Sequence, residues 1–207
     1  MKRKKGDPEI ILINGSSSAG KSTLSKALQD ELNHSYLHWG FDDLIYMSAR
    51  RYWEDAGRPV PRRTSEVSLQ GVEMVEIRKP GLPPAVVAHF GPVLRVVVDS
   101  MAPVVATLVK SGNSVIFDHV FHDQKMYDDC VHCFAPYDVF TVGVDCSLDV
   151  LEERERARGD RVIGRARGLY DVVHSFCTYD VQVDTSNATV EESVKTIKSA
   201  LQKRRTS

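Results

Sequence analysis

The chain has 207 residues, a length that fits one domain of ordinary size with room for a proper core. Hydrophobic residues make up 42% and charged residues 27%, the balance of a soluble globular protein, which excludes a disordered chain. The net charge of −1 gives no reason to expect nucleic acid or an anionic membrane as a partner. The sequence contains no run of about 18 apolar residues, so we predict no membrane span and expect a cytoplasmic protein.

The first predicted elements are a strand, a loop and a helix. Residues 9–14 form a nearly continuous apolar run rich in β-branched residues, typical of a strand buried on both faces of a parallel sheet. A Gly/Ser loop follows. Apolar residues then recur at helical spacing, at Leu24, Ala27, Leu28 and Leu32.

The same alternation of strands and helices continues along the chain. Further strands are predicted at residues 36–39, 114–117, 137–144 and 181–183. Helices are predicted at residues 148–158 and 190–201. This order predicts a three-layer α/β fold with a mainly parallel five-stranded sheet and helices on both faces.

Residues 51–92 interrupt the alternation with six prolines and several arginines and glycines. Ordered α/β connections usually run only a few residues, so this stretch is either a functional insertion or a lid. Residues 66–78 could form one helix, and residues 93–109 are long enough for a second helix, bent at Pro103. We assign an acceptor-site or lid insertion at about 47–100 within a single domain spanning residues 1–207.

The strongest motif is the segment 15–22, which matches G-x-x-x-x-G-K-[ST] in full between the first strand and the first helix. Its glycines let the backbone N–H groups curl around phosphate oxygens at a helix N-terminus. Lys21 would lie between the β- and γ-phosphates, and the Ser22 hydroxyl would bind Mg²⁺. The predicted nucleotide contacts are Gly15, Ser16, Ser17, Ser18, Ala19, Gly20, Lys21, Ser22 and Thr23.

Two groups of acidic residues follow predicted strands. Asp118 ends the apolar run 115–117, where P-loop folds hold Mg²⁺, although it could instead cap the next helix. Of Asp42 and Asp43, one could orient an acceptor hydroxyl and take its proton, while the other caps the following helix.

For the histidines and cysteines near these strands, a structural role is an alternative to a catalytic or metal-binding one. His119 and His122 are either acceptor-site residues or solvated or core histidines. Cys130 and Cys133 form a C-x-x-C pair, but only single cysteines follow it, so we expect ordinary reduced thiols.

An arginine cluster comprises Arg154, Arg158 and Arg161. Arg154 and Arg158 are four residues apart and share a helical face, from which guanidinium groups could neutralise a transferring phosphoryl group. The alternative is a surface helix with ion pairs to Glu153, Glu155 and Asp160. Arg165 and Arg167 lie farther along this predicted lid, at about 154–167.

Four segments in order carry a family resemblance: the P-loop with its serine run, Gly-Phe-Asp-Asp-Leu-Ile from residue 40, Ile-Phe-Asp from 116, and Ala-Arg-Gly-Asp-Arg from 157. With Val173-His174 and the run from Tyr179 to Thr185, the chain resembles the chloramphenicol phosphotransferase-like family. These are small P-loop kinases similar in fold to shikimate and adenylate kinases. The resemblance covers residues 9–46 and 112–186 and does not extend over residues 47–100.

The resemblance implies roles for individual residues. The catalytic aspartate falls on Asp42, not Asp43, and Arg154 and Arg158 rank highest among the arginines. The loop 184–187 resembles the adenine-side loop of these kinases, which implies ATP with Mg²⁺ as the nucleotide. This chain has His119 where family members carry a second aspartate.

The sequence thus predicts an ATP-dependent phosphotransferase that moves the γ-phosphate to a small-molecule hydroxyl, on chloramphenicol or a similar natural product, as in antibiotic resistance. A kinase of an anionic metabolite or nucleotide is the alternative, suggested by Arg50, Arg51, Arg58, Arg62 and Arg63. A nucleotide-dependent switch or binding module is a third hypothesis, of another class. No nucleic-acid or membrane partner is expected, and an oligomer is not indicated.

Overall fold

The structure is a computed structural model that describes residues 8–53, 69–159 and 162–206. Its strands are β1 (Glu9–Gly15), β2 (Tyr36–Gly40), β3 (Val72–Ile77), β4 (Ala85–Phe90), β5 (Ser114–His119), β6 (Asp138–Asp145) and β7 (Val181–Asp184). Five of them form a parallel sheet in the order β2-β5-β1-β6-β7, and β3 and β4 form a separate antiparallel hairpin.

Helices cover both faces of the parallel sheet. They are α1 (Lys21–Glu31), α2 (Phe41–Met47), α3 (Pro92–Asp99), α4 (Met101–Lys110), α5 (Gln124–Phe134), α6 (Leu148–Arg158), α7 (Arg165–Tyr170) and α8 (Val190–Thr206). The predicted three-layer α/β fold and its five parallel strands are confirmed, each within about two residues of the predicted bounds.

Burial explains why β1 reads as an uninterrupted apolar run. All seven of its residues are buried, because it pairs with β5 on one side and β6 on the other. Side chains alternate between two cores, with Ile10 and Leu12 facing α3, α4 and α5, and Ile11 and Ile13 facing α1, α6 and α8. All five strands are parallel, so their carboxyl ends meet at one edge, where the P-loop lies.

The structure corrects the prediction of a helix over residues 66–78. Residues 66–68 lie outside the described part, but β3 spans Val72–Ile77 and pairs antiparallel with β4, which the sequence analysis missed. The apolar side chains Val72 and Met74 are two residues apart, the period of a strand. The other face of β3 is exposed but carries the apolar Val75 and Ile77, which obscures the alternation of apolar and polar residues.

The apolar stretch predicted as one helix bent at Pro103 consists of two helices. The break between α3 and α4 falls at Ser100. Ser100 keeps helical dihedral angles, and the interruption lies three residues before Pro103, within the turn where the missing N–H of a proline weakens a helix. The disturbance predicted at Pro103 therefore takes the form of a break at Ser100.

By length and composition alone, the segment Pro92–Lys110 could cross a membrane, which the sequence analysis had not recognised. In the fold, a third of it is buried, and Leu94, Val98, Met101 and Val105 pack in the core beside β1 and β5. Its apolar face therefore belongs to the core of the sheet, as in the core helix of a globular domain.

Candidate active site

The P-loop turns sharply between β1 and α1. Ser18 and Gly20 have positive φ angles of 65° and 86°, which open the backbone so that amides can face a bound anion. Gly15 must be glycine for packing, since a Cβ there would lie 2.5 Å from the carbonyl oxygen of Val144 on β6. Lys21 is 7% exposed and donates from Nζ to the carbonyl oxygen of Ser16 at 2.9 Å, so its charge is held over the loop.

The predicted metal ligands lie together. Ser22 Oγ on α1 donates a 2.5 Å hydrogen bond to Asp118 Oδ2 at the end of β5. Burial opposes ionisation of Asp118, but His38, the Lys21 charge and the Ser22 hydroxyl together lower its pKa below the ordinary value. A hydroxyl and an ionised carboxylate are hard oxygen ligands, which suits Mg²⁺ shared with phosphates. The helix-cap alternative for Asp118 does not hold, because Asp123 caps α5.

His38 was missed by the sequence analysis. It lies on β2, next to β5 in the sheet, and its Nε2 is 3.8 Å from Asp118 Oδ2. A histidine two residues before a strand end has no sequence signal, because only strand pairing brings it beside Asp118.

Asp42 and Asp43 lie side by side in the first turn of α2. Asp43 Oδ2 accepts a 2.7 Å hydrogen bond from the Gly40 amide and so caps the helix. Both Asp42 and Asp43 line the groove beside the P-loop, and the role of Asp42 as the carboxylate that takes the acceptor proton stays a prediction.

Arg154 approaches the P-loop from α6. Its guanidinium donates to the carbonyl oxygen of Thr185 at 2.8 Å and to Thr185 Oγ1 at 3.3 Å, and Thr185 Oγ1 in turn donates to the carbonyl oxygen of Ala19. These contacts link the arginine, the loop after β7 and the P-loop. Among the described residues, Arg154 therefore contacts the loop after β7 and does not form the surface ion pair that was the alternative.

The other predicted arginines separate into two groups. Arg158 and Arg165 line the same groove as Arg154. Arg167 instead forms an ion pair with Glu152 at 2.5 Å. Arg161 lies outside the described residues.

Glu155 is a buried carboxylate whose role the sequence did not reveal. It is 1% exposed and accepts hydrogen bonds from the amides of Gly164 and Ala166 at 2.7 and 2.9 Å. Since Glu155 lies on α6 and Ala166 on α7, this carboxylate fixes the two arginine-bearing helices relative to each other.

Asn14, the penultimate residue of β1, is the centre of a second unpredicted network. Its Nδ2 donates to Tyr179 Oη and to the carbonyl oxygen of Val173, both at 2.7 Å, and its Oδ1 accepts from the Phe121 amide at 3.2 Å. Tyr179 Oη also contacts His174 Nδ1 at 2.8 Å. One buried amide therefore ties the P-loop strand to the loop after β5.

These residues surround an open groove of about 840 Å³ along the carboxyl edge of the sheet, with the P-loop as its floor. One end, the nucleotide end, is lined by Arg154, Ala157, Arg158, Thr185, Ala188, Thr189 and Val190. The other, the acceptor end, is lined by His38, Gly40, Phe41, Asp42, Asp43, Val120, Arg165 and Leu169. The P-loop and the predicted metal ligands Ser22 and Asp118 line the same groove.

The two histidines after β5 are enclosed by aromatic rings. Burial lowers the pKa of His119 to about 3, and burial with the nearby Arg165 charge lowers that of His122 well below its ordinary value. Both are therefore neutral at physiological pH. They are core histidines that also border the acceptor end, where Phe41 lies 5.2 Å from His119 and 5.6 Å from His122, centroid to centroid.

The arginines that suggested an anionic acceptor do not line the groove in the described part of the chain. Arg50 and Arg51 lie on an exposed 3₁₀ turn, over the rings of Trp53 and Tyr52. Arg58, Arg62 and Arg63 fall outside the described residues. All four cysteines, including the C-x-x-C pair, are free thiols, as expected.

A family model described as chloramphenicol phosphotransferase-like protein matches residues 8–202, including the insertion that the sequence resemblance left uncovered. A Mycobacterium tuberculosis protein provisionally named an O-phosphotransferase is 31% identical over 192 residues, covering 90% of this chain and 80% of that protein.

Among solved structures, the M. tuberculosis APS kinase in complex with AMPPNP and APS is similar, with a TM-score of 0.62, 13% identity and coverage of 96% of this chain and 99% of that one. A gluconokinase from Sinorhizobium meliloti gives a TM-score of 0.57 at 17% identity, covering 98% and 96% of the two chains. These likenesses show that the fold is that of P-loop kinases.

Proposed function

The chain belongs to the chloramphenicol phosphotransferase-like family, and from that premise we propose that it is an ATP-dependent phosphotransferase acting on a hydroxyl group of a small molecule. The observation that carries the proposal is the 2.5 Å contact of Ser22 with Asp118 at the P-loop, in a groove that Asp42 also lines. A nucleotide-binding site alone would not need a carboxylate at the opposite end. A phosphotransferase needs one there to orient the acceptor.

The nucleotide end of the groove suits a triphosphate. The P-loop amides and Lys21 would hold the phosphates, with Arg154 and Arg158 adding positive charge from α6. Ser22 and Asp118 would hold Mg²⁺, which supplies charge neutralisation on the β- and γ-phosphates. Phosphoryl transfer depends mainly on positioning and charge, so these residues meet its main requirements.

Asp42 is the residue that would act on the acceptor. A carboxylate beside the P-loop can orient a hydroxyl group and accept its proton while the hydroxyl oxygen bonds to phosphorus. Its neighbour Asp43 caps α2, and Asp42 is the aspartate of the pair on which the family resemblance places this role. Lys21, Arg154 and Arg158 would stabilise the charge that develops on the transferring group.

The family makes chloramphenicol or a similar natural product the first acceptor to test, which would give the protein a role in antibiotic resistance. The enzyme would work in the cytoplasm, where ATP and Mg²⁺ are supplied, without a nucleic-acid or membrane partner.

The test is ATP consumption by the purified chain with Mg²⁺, with and without chloramphenicol, and with the product mass recorded. A chloramphenicol-dependent gain of one phosphate supports both the reaction and the acceptor. ATP binding without turnover on chloramphenicol rejects that acceptor and moves the search to other hydroxyl compounds. Absence of transfer to every hydroxyl compound tried, with ATP still bound, would contradict the proposed reaction.

A further inference from the structure

His38 lies on the edge strand of the parallel sheet, beside the predicted metal ligands. In the pairing of β2 with β5, Gly40 is opposite Asp118 and His38 is opposite Ile116. Side chains alternate along a strand, so His38 and Asp118 lie on the same face of the sheet. Nε2 of His38 is 3.8 Å from Asp118 Oδ2, and the histidine lines the groove.

The Nε2 atom of His38 has no partner. It is buried and makes no hydrogen bond within the described residues. Its 3.8 Å separation from Asp118 Oδ2 is too long for a hydrogen bond. A buried polar atom without a partner is costly, so one in a native fold calls for an explanation. Its place beside a predicted metal ligand suggests that explanation.

Asp118 has room for a second donor. An ionised carboxylate offers about four lone-pair sites, and Ser22 Oγ takes one of them with its 2.5 Å hydrogen bond to Oδ2. Residue 40, directly opposite, is glycine and contributes no side chain, although a Cβ there would lie 3.9 Å from Oδ2. A shift of about 1 Å would bring Oδ2 and the imidazole Nε2 to the distance of a hydrogen bond with a charged acceptor.

A nitrogen at this place suits support of the metal site better than direct binding of Mg²⁺. Magnesium takes oxygen ligands and keeps several waters, whereas imidazole suits zinc, copper, iron and nickel. Within the described residues, no group of three or more histidine, cysteine or acidic side chains is placed to hold a metal ion. The role left for the His38 imidazole is to orient the Asp118 carboxylate, as outer partners of metal ligands do.

We propose that His38 is a positioning residue of the magnesium site, whose Nε2–H donates to Asp118 and holds this carboxylate toward the metal on the bound nucleotide. The inference rests on the part of the proposed function that assigns Mg²⁺ to Ser22 and Asp118, and it is independent of the acceptor and of transfer. Two donors, the Ser22 hydroxyl and the His38 imidazole, would fix the carboxylate before the metal arrives, so that less order has to be gained on binding.

The test measures how much Mg²⁺ strengthens nucleotide binding. The affinity of the full chain for the nonhydrolysable nucleotide AMPPNP is determined by isothermal titration calorimetry, once with Mg²⁺ and once with EDTA. The ratio of the two dissociation constants is the metal-dependent gain. This ratio isolates the metal site, because a general disturbance of the P-loop would weaken binding under both conditions.

His38→Asn and His38→Gln form a matched pair. The glutamine amide nitrogen occupies the ε position, as Nε2 does, whereas the asparagine amide ends at the δ position. We expect His38→Asn to lower the metal-dependent gain by about 10-fold, and His38→Gln to retain most of it. The affinity in EDTA should be unchanged in both. His34→Asn, at an exposed position that does not line the groove, is the control.

A double variant tests whether His38 acts through Asp118. Asp118→Ala should itself lower the metal-dependent gain. Adding His38→Asn to Asp118→Ala should lower it no further, because the group that His38 positions is then missing. A further loss of similar size in the double variant would show that His38 acts on the nucleotide by another route, which would overturn the inference.

Three other results would overturn it. They are an unchanged gain in His38→Asn, equal losses in His38→Asn and His38→Gln, and an unchanged gain in Asp118→Ala, which would remove the metal assignment itself. The proposed reaction fails separately. A chain whose metal-dependent gain requires both His38 and Asp118, but which phosphorylates no hydroxyl compound, would keep this inference and reject the reaction.

Discussion

The two ends of the groove are built in different ways. The P-loop floor and the nucleotide end consist of buried strand ends and main-chain groups, with Lys21 and Asp118 only 7% and 3% exposed. The acceptor end is a wall assembled from the end of β2, α2, the loop after β5 and α7, with the β3–β4 hairpin packed against α7. Its polar side chains are His38, Asp42, Asp43 and Arg165, and the neutral His119 and His122 lie against Phe41.

The difference separates the part of the groove that suits any nucleoside triphosphate from the part that must match one acceptor. Every nucleoside triphosphate presents the same phosphates, so one loop and one metal pair suit them all. An acceptor has its own shape and charge, and only side chains brought together by tertiary packing can match it. We therefore expect substitutions at the two ends to separate nucleotide binding from acceptor recognition.

The largest effect is expected for Asp42→Asn, which removes the proton acceptor but keeps the shape of the side chain. Transfer should fall by about 10²- to 10⁴-fold with ATP affinity retained. Asp43→Asn is the control, because it weakens the cap of α2 and should cost about 1 kcal/mol of stability without abolishing transfer. Turnover by steady-state kinetics and ATP affinity by calorimetry measure the two quantities. Unchanged transfer in Asp42→Asn would show that Asp42 is not the proton acceptor, whereas ATP hydrolysis that needs no acceptor and is unchanged in the variant would favour a nucleotide-dependent switch.

At the nucleotide end, Arg154→Ala should reduce transfer by roughly 10²-fold, since it removes charge beside the transferring group. ATP affinity should also fall, because Arg154 holds the loop at Thr185. Arg156→Ala, an exposed position on the same helix, is the matched control. Equal kinetics for the two variants would show that the charge of Arg154 does not contribute to transfer.

At the acceptor end, Gly168→Ala should push α7 away from the hairpin, because the added Cβ would meet the carbonyl oxygen of Val86 at 2.1 Å. We expect a loss of about 1–3 kcal/mol in the free energy of unfolding and a raised KM for the acceptor. The affinity for ATP should be retained. Gly112→Ala is a control for backbone strain without a steric clash, because Gly112 has a φ of 95° and a Cβ there meets no atom within 4 Å. A parallel loss of ATP affinity in Gly168→Ala would mean that the two ends are not separable.

The smallest effect concerns acid stability. The pKa of His122 is lowered in the folded chain, so the unfolded chain binds a proton first as pH falls below about 6.5. Stability is therefore present above that pH and is lost below it, by up to about 1.4 kcal/mol per pH unit for each such histidine. Urea unfolding at about pH 7 and about pH 5 should show this loss and a smaller one in His122→Gln. His34→Gln, at an exposed position, should lose as much as the unmodified chain.

Much of the nucleotide end could be predicted because its signals are local. The P-loop occupies eight consecutive residues, and Asp118 and Asp42 each follow a strand that the apolar pattern reveals. Parallel strands bring their carboxyl ends to one edge, so the sequence order alone predicts that Lys21, Ser22 and Asp118 meet. The role of Asp43 as a cap was also foreseeable from its position at the start of a helix.

Other features depend on long-range contacts that leave no periodic signal. His38 meets Asp118 only through the pairing of β2 with β5, and Asn14 contacts Tyr179, which is 165 residues away. Glu155 appeared in the sequence as one more charge on a polar helix, yet it is buried because the amides of α7 need an acceptor. The β3–β4 hairpin was missed because the exposed face of β3 also carries apolar side chains, Val75 and Ile77, so the strand lacks the alternation of apolar and polar residues.

The sequence by itself thus determined the fold class, the P-loop and the order of the segments that form the candidate site, because strand burial and phosphate binding are encoded in short runs of residues. Only the tertiary structure decided which arginines line the groove, which histidines are neutral and what surrounds the acceptor. Those properties depend on distance, burial and local charge, and they arise only when segments far apart in the chain pack against one another.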